Sequence, residues 1–392
     1  MWRLRTTAGE EFPAEVLVSG TGQLNRPHVP RIPGLEGFRG ERFHSARWNH
    51  ACELSGRNVA VIGNAASAIQ FVPHVARQAK RLTVFQRSAN WMLPKNDRSY
   101  SEAEKRRFTR HPWLARLYRW WIWASFEARF PVFKGRRWLG RHLERFALRQ
   151  MREVVRDREL ADALVPDYPI GGKRILISDD YYQTLGRENV RVVTAPIDQL
   201  EADAVVTSDG ARHPADVVIL ATGFETTSFL APMRIEGRDG RTLAEVWKGG
   251  ARAYLGMAVP GFPNFFLMYG PNTNLGHNSI PFMIECQARY ILACIRAIAT
   301  RGLVQMELRP EVLEAWDART QAELARSVWA ATDHSWYKTA EGRITNNWSG
   351  STARYWWATR HLDLRSYHLV RASGEERAGV PRAGVAASGV GQ

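Results

Sequence analysis

Short apolar runs bounded by small residues alternate along this chain with stretches of helical periodicity. Asn58-Val59-Ala60-Val61-Ile62 is a compact apolar run. It is followed by the small-residue turn Gly63-Asn64-Ala65-Ala66-Ser67-Ala68, by the amphipathic segment IQFVPHVARQA, and by a second run, RLTVFQ, over 81–86. Strand, turn, helix and strand at this spacing predict a βαβ unit. A second pattern occurs twice. A hairpin-like Gly9–Glu15 leads into Val16-Leu17-Val18-Ser19-Gly20-Thr21-Gly22, and Gly210–Asp216 leads into Val217-Val218-Ile219-Leu220-Ala221-Thr222-Gly223. Both read as a hairpin, a buried strand and a small-residue exit where backbone can approach a neighbour or ligand. Two such exits predict one domain inserted into another, the chain leaving a first sheet near Gly22 and rejoining it near Gly223. The Pro/Gly-rich stretch from Asn25 to Gly37 reads as an extended linker. Helical periodicity returns in IPFMIECQARYILACIRAI (280–298) and in the arginine- and tryptophan-rich segment over about 99–160. The fold class that follows is α/β, with two Rossmann-like dinucleotide-binding domains and a helical insertion. The expected boundaries are 1–22 for the end of the first domain and 23–50 for a linker. A nucleotide domain with its insertion spans 51–221, the first domain resumes over 222–370, and 371–392, low in bulky apolars, reads as a disordered tail.

Composition narrows the class. No apolar run approaches the roughly 20 residues a membrane span requires, and WRLRTTAGEEF after Met1 is not a secretory leader. The three cysteines show neither metal-ligand nor redox spacing, and their odd number fits a reducing cytoplasm. The net charge of +15 is carried mostly by arginines spread through helical segments, without a zinc-finger or basic-zipper pattern. That distribution reads as a solvated surface and against nucleic acid as a partner.

The candidate chemistry begins at the βαβ turn. It departs from G-x-G-x-x-G: Gly63 holds the first position, Ala65 the second and Ala68 the third. Alanine at the third still permits close helix packing. The amides of Asn64, Ala65 and Ser67 would offer N–H groups and the positive end of the helix to a pyrophosphate. An enzyme for the unphosphorylated nucleotide places an acid after the second strand to bind the ribose. This chain has Arg87 and Ser88 there. A guanidinium pairs with a 2′-phosphate and a hydroxyl donates to it, so the expected cofactor is NADPH.

Phe38-Arg39-Gly40-Glu41-Arg42-Phe43-His44-Ser45-Ala46-Arg47-Trp48, just before this unit, resembles F-x-G-x-x-x-H-x-x-x-W, the fingerprint of Baeyer–Villiger monooxygenases. The family pattern ends in Pro or Asp; here Asn49 follows. The resemblance implies that His44 sits where flavin and NADPH domains meet and couples their movement. Tyr168-Pro169-Ile170-Gly171-Gly172-Lys173-Arg174 resembles a family segment in which the lysine assists 2′-phosphate binding and the arginine is catalytic. A fixed guanidinium stabilises an anionic flavin peroxide without losing a proton. Ala221-Thr222-Gly223-Phe224 resembles the turn that returns to the flavin domain, which makes Thr222 and Gly223 cofactor-contact candidates. Tyr269–His277 resembles a late flavin-contacting loop, with Asn272 and Thr273 as candidates to bond the isoalloxazine edge. The region from Ser335 to Trp348 is similar to the subgroup containing 4-hydroxyacetophenone monooxygenase.

The resemblance implies an FAD- and NADPH-dependent monooxygenase that inserts one oxygen of O2 into an apolar ketone through a flavin C4a-peroxide. Oxygenation at sulfur or nitrogen by the same oxidant is the enzymatic alternative. The family's front-end flavin loop is missing from this sequence. The expectations are therefore a truncated chain, a partner chain that supplies the FAD-binding half, or an inactive fragment that binds only NADPH. For the tryptophans of 99–160 the reading is a lining for the substrate tunnel, and its rival is a helix in peripheral contact with a membrane.

Overall fold

Each apolar run becomes a strand because the run is long enough to be covered on both faces, and the sheet that results is parallel throughout. The computed structural model describes residues 1–332 and 335–372; the tail read as disordered lies, from 373 on, outside the described residues. The chain opens with a hairpin of β1 (Trp2–Arg5) and β2 (Glu11–Ala14), then β3 (Leu17–Ser19). β4 (Glu41–His44), β5 (Asn58–Ile62), α1 (Ala68–Ala76) and β6 (Arg81–Phe85) follow. After β7 (Met92–Leu93) come the insertion helices α2 (Glu102–Arg110), α3 (Pro112–Glu127), α4 (Phe130–Phe133), α5 (Arg137–Val154) and α6 (Arg158–Ala163). The return passes through β8 (Leu176–Ile177), α7 (Tyr181–Leu185) and β9 (Val190–Val193). It continues through β10 (Ile197–Leu200), β11 (Ala204–Thr207), β12 (Arg212–Pro214) and β13 (Val217–Leu220). The last part holds α8 (Leu243–Val246), β14 (Phe265–Leu267), α9 (Ile280–Thr300), β15 (Leu303–Leu308), α10 (Pro310–Leu324), α11 (Thr352–Thr359) and β16 (Tyr367–Arg371).

The central sheet runs β4-β13-β5-β6-β9, all pairs parallel. Its inner strands read as unbroken apolar runs because both faces are buried. Val59, Val61, Leu82 and Val84 meet Val72 and Val75 of α1 on one face. Ala60, Ile62, Phe85 and Val218 meet Leu35, Phe38 and Val205 on the other. One element differs from the sequence reading. β4 lies inside the stretch expected to be linker, yet it forms the sheet edge with register Val217↔Glu41 to Leu220↔His44. Glu41 and Arg42 are exposed there, so an edge strand with two charged residues carries no apolar run to betray it.

The repeated pattern is two hairpins, β1–β2 and β11–β12, each feeding a parallel strand. β3 pairs with β14 (Leu17↔Phe265), and β13 enters the central sheet. The two exits meet. The His28 amide donates to the Gly223 carbonyl at 2.8 Å and the Glu225 amide to the Arg26 carbonyl at 2.9 Å, around an antiparallel bridge from Pro27 to Phe224. A separate apolar core surrounds α9, with Met283, Tyr290 and Cys294 packed on Leu308, Trp316 and Tyr355. Among the described residues no helix is long and apolar enough to cross a membrane.

Candidate functional site

Gly63 sits at the C-terminal end of β5, where the chain turns toward α1. Its φ is +106°, and a β-carbon there would lie 2.5 Å from the Ala221 carbonyl oxygen on β13's exit. Only glycine combines that conformation with that proximity. Ala65 to Ser67 form the turn, and the first helical bond runs from the Ile69 amide to the Ala65 carbonyl at 3.1 Å. The amides ahead of it face the N-terminal opening of α1. The Asn64 side chain points elsewhere. Its Nδ2 donates to Gln86 Oε1 (2.8 Å) and to the Ser88 carbonyl (3.0 Å), lacing this loop to the end of β6.

That end carries the basic pair. Arg87 is exposed, and Lys173 Nζ donates to Ser88 Oγ at 3.0 Å. Lys173 is half-buried, and burial, opposed by the Asp167 carboxylate and reinforced by the Arg87 charge, pushes its pKa below the ordinary lysine value. Two cations and a hydroxyl brought together, with no salt bridge to either cation among the described residues, can complement a dianionic phosphate. Sequence reasoning placed Arg87, Ser88 and Lys173 in this role, and the fold brings all three together across 85 residues of chain.

Arg174, the next residue, lines a cleft of about 1930 Å³ that also reaches Ala66 and Ile69 of the nucleotide unit and Asn274 and His277 of the late loop. Its guanidinium takes no hydrogen bond or ion pair among the described residues, and its charge acts on Tyr269 and Tyr337. Around those rings lies a polar network. Gln23 Nε2 donates to Tyr269 Oη (2.9 Å), Tyr269 Oη to Asn274 Oδ1 (2.8 Å), and Asn274 Nδ2 to Asn347 Oδ1 (2.6 Å). Among the described residues Gln23 Oε1 and Asn347 Nδ2 are buried without a hydrogen-bond partner, and Tyr337 lies near Asn274 without a well-formed bond at its Oη. Buried polar atoms are normally satisfied, so this wall fits a polar ligand edge.

Asn272 and Thr273 were expected to offer side chains and loop N–H groups to such a ligand, and in the structure both side chains are engaged within the protein. Asn272, in the left-handed region at φ 56°, donates through Nδ2 to the Ile344 (2.9 Å) and Asn347 (3.0 Å) carbonyls. Thr273 Oγ1 donates to the Gly270 carbonyl at 2.6 Å. Both are buried, bonding the loop to its own backbone. Thr222 Oγ1 likewise donates to the His28 carbonyl, joining the two crossing segments, while Gly223 at φ 82° has open space beside it. His44 ends β4 beside Phe224 of the crossing, with ring centroids 6.0 Å apart, and its Nδ1 accepts from the Ala46 amide at 3.1 Å. Burial pushes its pKa down, opposed by the Gly223 backbone, toward which Nε2 lies without a well-formed hydrogen bond.

The tryptophans divide by helical period. Arg116, Arg119, Trp120 and Trp123 share the cleft-facing side of α3. Trp113, Leu117 and Trp121, four residues apart, are 57–65% exposed on another side, and Trp138 of α5 is also exposed. Of the five tryptophans of the insertion, Trp120 and Trp123 reach the cleft wall, Trp120 with 58% of its surface still exposed.

A buried acid–base contact escaped the sequence reading. His277 Nε2 lies 3.3 Å from Glu127 Oε2, with the imidazole against Phe130 and Phe133 at 5.0 and 5.8 Å. Glu127 also accepts from Thr352 Oγ1 (2.6 Å) and Asn278 Nδ2 (2.8 Å), so one carboxylate ties α3 to the loop before α9 and to the start of α11. Burial raises the Glu127 pKa, but the approach of His277 and the bonds from Thr352 and Asn278 outweigh it and bring it down to about 2. A carboxylate depressed on folding contributes stability above its unfolded pKa and loses it as pH falls through the folded value. Glu127→Gln should therefore flatten the fall in urea midpoint between about pH 4.5 and pH 2; an unchanged acid limb would remove Glu127 as its source.

The Flavin-binding monooxygenase-like family pattern matches residues 11–236. A Baeyer-Villiger monooxygenase of Pseudomonas aeruginosa is 40% identical over 371 residues, covering 94% of this chain and 70% of the relative. One from Streptomyces coelicolor is 41% identical over 373 residues, covering 94% and 72%. Among solved structures, an oxidized steroid monooxygenase bound to NADP matches with a TM-score of 0.84 at 29% identity, covering 94% of this chain and 78% of that one. The OTEMO complex with FAD and NADP matches with a TM-score of 0.82 at 26% identity over the same shares. With that pattern across more than half its length and relatives at this identity, the chain belongs to the flavin-binding monooxygenase-like family, alongside the Baeyer–Villiger monooxygenases.

Proposed function

We propose that this flavoprotein monooxygenase, drawing electrons from NADPH through FAD, inserts one oxygen atom of O2 into an apolar ketone and yields an ester or lactone. One juxtaposition carries the reading: consecutive residues serve two sites, Lys173 at the phosphate receptor with Ser88 and Arg174, unpaired, at the cleft. The residues fit the nucleotide and one edge of the flavin ring. Gly63 opens a loop where backbone amides can approach a pyrophosphate, and Arg87, Ser88 and Lys173 complement a 2′-phosphate. The unpartnered Gln23, Asn347 and Tyr337 atoms beside Tyr269 suit the polar edge of an isoalloxazine. Bound flavin, once reduced, supplies the activation of O2.

The chain's own part is binding, orientation and charge. Arg174, exposed at the wall of the cleft, offers a permanent cation to negative charge that develops on the transferred oxygen, on a wall shared with Trp123 and Phe126. The apolar share of that wall favours a carbonyl compound carried on hydrocarbon. His44, beside the crossing segments, is placed to transmit motion between the nucleotide unit and the remainder.

Arg87→Ala tests the cofactor half. Loss of a charge-assisted contact should raise the Michaelis constant for NADPH by about 10- to 100-fold and leave that for NADH nearly unchanged. Equal effects on both nucleotides would take Arg87 out of phosphate binding. Product analysis with a ketone and a thioether of similar shape tests the substrate half: sulfoxide without ester would replace ketone insertion by heteroatom oxygenation.

A further inference from the structure

At the proposed phosphate position an ammonium is held half-buried, an arrangement that desolvation opposes. Lys173 is half-buried near Arg87, neither cation makes a salt bridge among the described residues, and Asp167 acts on Lys173 through its charge. Ser88 Oγ accepts one hydrogen bond from the Lys173 ammonium. The other contact is aromatic: Lys173 Nζ lies 4.4 Å from the centroid of the Tyr168 ring, five residues upstream. A ring face presents negative potential to a cation, and the attraction grows as water is removed.

Tyr168 cannot swing away. It is 8% exposed. Its carbonyl accepts from Trp91 Nε1 at 2.7 Å, and its hydroxyl donates to Asn90 Oδ1 at 3.4 Å. Asn90 Nδ2 donates in turn to the Asn64 carbonyl at 3.3 Å, and Asn64 Nδ2 reaches the Ser88 carbonyl. The ring is thus anchored to the same loop that would meet the pyrophosphate.

We propose that Tyr168 is a specificity-determining positioning residue: its ring face holds the Lys173 ammonium at the 2′-phosphate position, so preference for the phosphorylated nucleotide depends on a side chain that does not contact it. The inference rests on the NADPH reading above. It differs from a structural role because it concerns one phosphate group and not the nucleotide as a whole.

Calorimetric titration with NADP⁺ and with NAD⁺ separates the outcomes. Tyr168→Leu should raise the dissociation constant for NADP⁺ roughly 3- to 30-fold, the range of a partly desolvated cation–π contact, and leave NAD⁺ binding unchanged. Tyr168→Phe keeps the ring and should retain the preference. Tyr168→pentafluorophenylalanine preserves the shape but reverses the ring's potential; it should reproduce the leucine effect even if the leucine variant does not fold. Combined with Lys173→Met, the Tyr168 change should add nothing further. Equal weakening of both nucleotides, or full additivity with Lys173→Met, overturns the proposal. A wild-type protein without NADP⁺ preference sinks the NADPH reading and this inference together. A wild-type preference that survives both ring changes sinks this inference alone.

Discussion

Arg174→Ala, in protein loaded with FAD, should lower the yield of oxygenated product by at least about 100-fold while NADPH still reduces the flavin. The magnitude follows from removing a pre-oriented cation from a site where negative charge develops, an effect of about 3 kcal/mol or more on the barrier. The separation of the two half-reactions follows from the geometry. Arg174 lines the cleft, whereas the phosphate receptor uses Arg87, Ser88 and Lys173, so the nucleotide should bind and deliver hydride without it. Arg174→Lys keeps the charge but loses the planar fork, and should fall between wild type and alanine. Gas chromatography of the ester against NADPH consumed is the measurement. An ester-to-NADPH ratio equal to wild type in the alanine variant would remove Arg174 from the reaction.

Gly63→Ala should be the most damaging single-methyl change in the nucleotide unit. At φ +106° a β-carbon is strained, and here it would also meet the Ala221 carbonyl oxygen at 2.5 Å and its carbon at 3.0 Å. Backbone on both sides leaves little room for relief, since the Gly63 amide is bonded to the Phe85 carbonyl and the Ala221 amide to the Ile62 carbonyl. Strain and overpacking together cost about 2–4 kcal/mol. Gly223→Ala is the internal comparison: φ is also positive, but nothing lies within 4 Å of the added carbon, so only the conformational part, about 1–2 kcal/mol, remains. Urea unfolding of both variants, followed by nucleotide thermal shift, checks the order. Equal destabilisation would mean that the contact with Ala221 relaxes.

What could be read from the chain alone depended on distance along it. Gly63, Arg87 and Ser88 lie within one βαβ unit, where strand, loop and strand are consecutive, so their meeting follows from local pattern. Lys173 reaches Ser88 from 85 residues away; only its resemblance to a known segment placed it there. The Glu127–His277 contact joins residues 150 apart with no shared pattern, and nothing in either neighbourhood announces it. The side chains of Asn272 and Thr273 are taken up within the loop because polar residues in a tight turn serve backbone carbonyls as readily as a ligand. The tryptophans of α3 were grouped by abundance, whereas the helix turn separates them: residues 120 and 123 face the cleft, and 113 and 121 do not.

The chain enters and leaves its nucleotide-binding part through two segments that run side by side, the His28 amide bonded to the Gly223 carbonyl. Entry and departure points that touch make this part a cassette: removing it, or exchanging it for another of the same span, breaks no strand pairing in the host. An exchanged part would still have to supply Arg174 and Glu127, because both belong to it while Asn274 and His277, across the same cleft, belong to the host.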